Sequence, residues 1–134
     1  MLDTSMIVRY LTGDPPELAE RAAQVIDQVD GLLVSDVVIA ETAYVLTSVY
    51  KIPREAVVDM LILFIQKRNL RPFALDKDGL LQALLLCRPS GRVSFADALV
   101  WAAARSTEER VVYSLDERFP REGVEVRDGM SAEG

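Results

Sequence analysis

Asp3, Glu41, Asp97 and Asp116 are the side chains with the most chemistry to offer in this sequence. Each lies in or beside an apolar run. Asp3 follows Met1-Leu2, and Glu41 interrupts Val37-Val38-Ile39-Ala40 and Ala43-Tyr44-Val45-Leu46. Asp97 divides Phe95-Ala96 from Ala98-Leu99-Val100-Trp101, and Asp116 closes the run Val111-Val112-Tyr113-Ser114-Leu115. An ionised carboxylate in low dielectric is costly unless it is paired, neutralised or bound to a metal. Acids of this kind spread over the whole length point to one shared pocket and one shared cation.

Composition narrows the chemistry further. The chain has no histidine and one cysteine, Cys87. Histidine-based nucleophile systems, His-ligated zinc and thiolate metal sites are therefore excluded, as is an intrachain disulfide. What remains must run on carboxylates, hydroxyls, Lys/Arg and a hard cation. A net charge of −6 weighs against a passive nucleic-acid-binding module, which is usually basic. It does not weigh against a nuclease, because divalent ions reverse the local sign around clustered acids. Twelve of the fifteen basic residues are arginine, the side chain better suited to bidentate phosphate contacts.

The elements that must position these acids are short and alternate in type. With 134 residues, half of them apolar, the chain is expected to form one domain over residues 1–127 with a frayed tail at 128–134. No apolar stretch reaches the roughly 18 residues of a membrane span, and an aspartate at the third position leaves no signal peptide. A cytoplasmic protein is the default for such a chain. Thr4 to Leu11 reads as a short helix ended by Gly13-Asp14-Pro15-Pro16. Glu17 to Val29 is amphipathic, with Leu18, Ala22, Val25, Ile26 and Val29 at helical spacing. Strands are expected at 32–34, 70–75, 110–114 and 124–126, with Pro72 marking an edge. Helices are expected from the N-cap Asp36 to about Tyr50, from Pro53 to about Arg68, from Asp76 or Asp78 to about Cys87, and from Ser94 to Arg105. Strands alternating with helices imply a parallel sheet covered on both faces, with ligands at the strands' carboxyl ends. Asp3 and Asp116 fall at such ends, and Glu41 and Asp97 fall near helix starts.

Each acid also has a bland reading. Asp97 is the fourth residue of Ser94-Phe95-Ala96-Asp97, a capping-box pattern. Asp116 fits a turn and Asp3 an ordinary helix N-cap. Glu41 is harder to dismiss, because its neighbours one turn away are Val37, Val38, Tyr44 and Val45. Met60 to Ile65 reads as packing, either core or subunit interface. The 57–65 helix carries more apolar surface than one contact face requires, so a homodimer is expected. Trp101 reads as core rather than as a base-stacking platform.

Taken together, these segments resemble the PIN-domain ribonucleases. Asp3-Thr4-Ser5 with the short apolar helix that follows is similar to that family's opening motif. Val38-Ile39-Ala40-Glu41-Thr42-Ala43-Tyr44-Val45-Leu46 resembles its second motif and Ser94-Phe95-Ala96-Asp97-Ala98 its third. Tyr113-Ser114-Leu115-Asp116-Glu117-Arg118-Phe119 resembles the fourth, with a hydroxyl two residues before the acid and a phenylalanine three after it. The short length is most similar to VapC-type toxins of toxin–antitoxin pairs. The resemblance implies a three-layer α/β/α fold with a short, mostly parallel central sheet. It implies that Asp3, Glu41, Asp97 and Asp116 hold Mg²⁺ or Mn²⁺, that Ser114 hydrogen-bonds within the site, and that Ser5 is a small polar companion of Asp3. The reaction implied is hydrolysis of RNA to a 5′-phosphate and a 3′-hydroxyl, with a cognate antitoxin as partner.

One departure concerns the first strand, which in that family carries several apolar residues before its aspartate. Here only Met1-Leu2 precede Asp3, about 7 Å of chain. The expectation is that an apolar segment has been lost upstream. A form extended by such a segment should melt higher, and equal melting temperatures would contradict this. Two other functions compete. A catalytically silent PIN-type binding module is opposed by the complete set of acids, and a DNA or structure-specific nuclease by the lack of room for clamp elements. A dehalogenase-type phosphatase needs a second aspartate two residues after the first, where Ser5 stands.

Overall fold

The computed structural model describes residues 1–130, so the frayed tail expected at 128–134 lies, from 131 onward, outside the described residues. Helix α1 spans Thr4–Thr12 and is closed by Gly13, whose left-handed φ of 71° lets its N–H reach the Arg9 carbonyl at 2.8 Å. Helix α2, Pro16–Gln28, begins with proline at a position where no amide donor is required. Strand β1, Leu32–Ser35, runs directly into α3, Asp36–Ser48. The cap of α3 is Ser35 rather than the expected Asp36: the Ser35 hydroxyl accepts the Val38 N–H at 3.3 Å. Both side chains can cap, and the end of the strand decides between them by leaving Ser35 extended at ψ 158°.

Helix α4 is Arg54–Ile65 and strand β2 is Leu70–Phe73. Asp76 caps α5, Lys77–Cys87, by accepting the Gly79 N–H at 2.8 Å. Helix α6 is Phe95–Arg105, and strands β3, Val111–Tyr113, and β4, Glu125–Arg127, follow. The class is α/β, with helices around a short parallel sheet. The strands pair in two halves. Leu32 to Ser35 align with Leu70 to Phe73, and Val111 to Tyr113 align with Glu125 to Arg127. As Pro72 suggests, β2 pairs with β1 alone among the described residues. The Leu2 N–H donates to the Leu33 carbonyl at 2.7 Å, so the residues before α1 run alongside β1 and deliver Asp3 to the sheet's edge.

The core is built from Ile7, Ile26, Ile39, Leu46, Leu61, Ile65, Leu70, Leu80 and Leu84, all almost wholly enclosed. Helix α4 corrects the expectation of a surplus face. Its Val57, Val58, Leu61, Phe64 and Ile65 are buried within the fold itself, because α4 is enclosed by α3, α5 and β2. Leu63 is its one large apolar side chain left mostly in solvent, and with the partly buried Met60 it borders a cavity shared with Tyr10 and Leu11 of α1. Trp101 is core as expected, and its indole N–H donates to the Glu122 carbonyl at 2.8 Å. Burial pushes the Cys87 thiol up to about 11, which keeps it a neutral packing group. Among the described residues no helix is long and apolar enough to cross a membrane.

Candidate active site

The helical period explains where the four acids end up. On α3 the residues Ile39, Thr42, Ala43 and Leu46 turn inward, which sends Val37, Glu41 and Tyr44 outward. Glu41 is therefore exposed, and half of the apolar company that made it look buried is itself in solvent: Val37 is 73% and Tyr44 65% exposed, while Val38 and Val45 pack partly buried against the core. Asp3 and Asp116 are also exposed, and Asp97 is half-buried. The expectation of costly, buried carboxylates is corrected on this point. Water reaches these acids, so none of them bears the cost of full burial.

Asp3 occupies the N-cap position of α1 yet makes no capping bond. Its Oδ2 instead accepts the Ser5 hydroxyl proton at 3.0 Å. Glu41 accepts no hydrogen bond and forms no ion pair among the described residues. The two carboxylates, 38 positions apart in sequence, line a single cavity of about 330 Å³ together with Thr4, Ser5, Arg9 and Tyr50. The packing of α1 on α3 brings them there. Thr4 contributes a buried hydroxyl that has no hydrogen-bond partner.

Asp97 lies in the first turn of α6. Only half of its capping box forms: the Asp97 N–H donates to the Ser94 hydroxyl at 3.0 Å, while the Asp97 carboxylate takes no bond among the described residues. The carboxylate is thus left open, with the positive end of the α6 dipole favouring its charge. Arg54 steadies the start of α6 by donating to the carbonyls of Cys87 and Val93 at 3.2 and 3.1 Å and lying 4.5 Å over the Phe95 ring. Asp116 accepts the Arg118 N–H at 2.8 Å, and its own N–H donates to the Ser114 hydroxyl at 3.1 Å. The Arg118 guanidinium stands 3.9 Å from the Asp116 carboxylate.

The structure thus brings Asp3 and Glu41 together, whereas no three acid, cysteine or histidine side chains among the described residues stand close enough to hold one ion. The donor set still fits a hard divalent cation. Mg²⁺ is commonly held by one or two carboxylates and completes its shell with water and substrate phosphate. Asp3 and Glu41 supply that pair, all donors are oxygens, and the unpartnered Thr4 hydroxyl lies in the same wall. Sequence reasoning missed Arg9 and Tyr50. Arg9 follows Ser5 by one helical turn, a signal that could have placed it on the same face of α1. Tyr50 carries no comparable signal, because only the packing of the α3 end against α1 places it there.

The PIN domain family matches residues 1–124 of the chain. No curated protein and no solved structure gives a significant match.

Proposed function

This chain belongs to the PIN domain family, and on that premise we propose that it is an Mg²⁺- or Mn²⁺-dependent endoribonuclease, the toxin of a toxin–antitoxin pair. PIN domains are generally nucleases that need a divalent metal. The observation that carries the reading is that Asp3 and Glu41 line one open cavity and that neither forms an ion pair among the described residues, although Arg9 stands in the same wall. Two like charges held together in this way are unfavourable by themselves and are relieved by a cation.

In this proposal Asp3 and Glu41 would hold the ion, Asp97 and Asp116 are the remaining acids that the family resemblance implies although no third acid stands with the pair here, and Ser114 fixes the turn that carries Asp116. A bound Mg²⁺ or Mn²⁺ supplies Lewis acidity toward the phosphoryl oxygens and the attacking water. Water adds to phosphorus in line, the bond from phosphorus to the 3′ oxygen breaks, and that oxygen leaves as the 3′-hydroxyl with the proton released from water. The phosphate stays on the 5′ side of the next nucleotide. The antitoxin would close the same cavity with a basic side chain, which matches the acidic pair in charge.

Asp97→Asn tests this directly, because the substitution removes a charge while keeping the backbone cap on Ser94. It should abolish both RNA cleavage by the purified protein and growth arrest on expression, with the melting temperature unchanged. Retained cleavage by this variant would defeat the reading.

A further inference from the structure

Two cavities adjoin on one side of the molecule. The cavity of Asp3 and Glu41 shares Ser5 and Arg9 with a second one of about 310 Å³, which continues to Arg21 on α2 over a floor of Met6, Leu18 and Val25. The two cavities meet at Ser5 and Arg9, so the acidic pair, one guanidinium and then a second follow one another along this side of the molecule. Arg9 is held in place there: Nη1 donates to the Tyr50 hydroxyl at 3.1 Å and to the Asp14 carbonyl at 3.2 Å. Its Nε and Nη2 have no protein acceptor among the described residues. Arg21 likewise forms no ion pair among the described residues, even with Glu17 one turn before it on α2.

We propose that these adjoining cavities form the track for the substrate's sugar–phosphate backbone, with Arg9 and Arg21 contacting successive phosphates on one side of the scissile bond. The inference rests on the nuclease reading and adds the substrate's direction of approach. Guanidinium groups left without carboxylate partners in a protein of net charge −6 are suited to phosphate, which they bind in a bidentate fork. The apolar floor suits sugar and base faces, which a single strand can expose and a duplex keeps stacked. Arg9 is pre-positioned by Tyr50, so less freedom is lost on binding there than at the freely exposed Arg21.

The test is fluorescence anisotropy of a short single-stranded oligoribonucleotide in EDTA, where hydrolysis is stopped, with cleavage in Mn²⁺ measured in parallel. Arg21→Gln should bind about fivefold more weakly than the unaltered protein and lower the slope of log K against log salt by about 0.7, the value for one phosphate contact on a single strand. Arg68→Gln, an equal charge change at an exposed arginine that lines neither cavity, should bind like the unaltered protein. The track is overturned if Arg21→Gln keeps full affinity and slope, if both variants lose equally, or if the unaltered protein does not bind RNA. Cleavage by the unaltered protein alongside an unaffected Arg21→Gln defeats the track alone. Absence of cleavage with every divalent metal defeats the nuclease reading, and the binding data still decide the track.

Discussion

Glu41→Gln is expected to lower Mn²⁺-supported RNA cleavage by about two to three orders of magnitude without lowering the melting temperature. The carboxylate is exposed and takes no hydrogen bond among the described residues, so its replacement removes no contact that holds the fold. It removes one of the two negative charges that line the cavity, so stability should hold steady. A merely structural glutamate would show the reverse, with cleavage retained and any loss confined to the melting curve. Activity within a few-fold of the unaltered protein would remove Glu41 from the site.

Leu61→Ala is expected to cost about 3 kcal/mol of stability, or roughly 12 °C in melting temperature for a domain of this size. Leu61 has no exposure and sits on the buried face of α4, between α3, α5 and β2. Removing its branched end leaves a cavity that three packed elements cannot all move to fill. Leu63→Ala, two residues on but 71% exposed, should change stability by less than about 0.5 kcal/mol. Equal losses in urea or thermal unfolding would show that the burial pattern of α4 is wrong and would return that helix to the surface.

The elements were legible wherever local chemistry alone decides them. Ser94 and Asp76 cap the helices they were expected to begin, and Gly13 stops α1, because caps and left-handed turns depend on one or two residues. Ser35 and Asp36 were confused because both are capping types, and only the last extended residue of β1 separates them. The apolar excess of α4 was visible, but whether it meets the fold's own core or another copy depends on what encloses the helix. Glu41 was singled out on an incorrect premise. Apolar neighbours suggest burial, whereas the helical period turns Val37, Glu41 and Tyr44 outward and leaves Val38 and Val45 against the core. For the candidate site, sequence order offers the four acids and Ser114 as candidates, of which Asp3 and Glu41 line one cavity. The sharing of one cavity by Asp3 and Glu41, and the presence of Arg9 and Tyr50 in its wall, arise from the packing of α1 against α3, to which no local pattern corresponds.

The most direct measurement of the central claim is a metal titration of cleavage with the unaltered protein. A 5′-labelled RNA is incubated in EDTA, then with increasing Mg²⁺ or Mn²⁺, and the products are resolved with their end groups identified. A site of hard carboxylate oxygens predicts no cleavage in EDTA, saturable activation by either ion, and fragments that carry 5′-phosphate and 3′-hydroxyl ends. Cleavage that persists in EDTA, or 2′,3′-cyclic phosphate ends showing attack by the RNA's own hydroxyl, would contradict it.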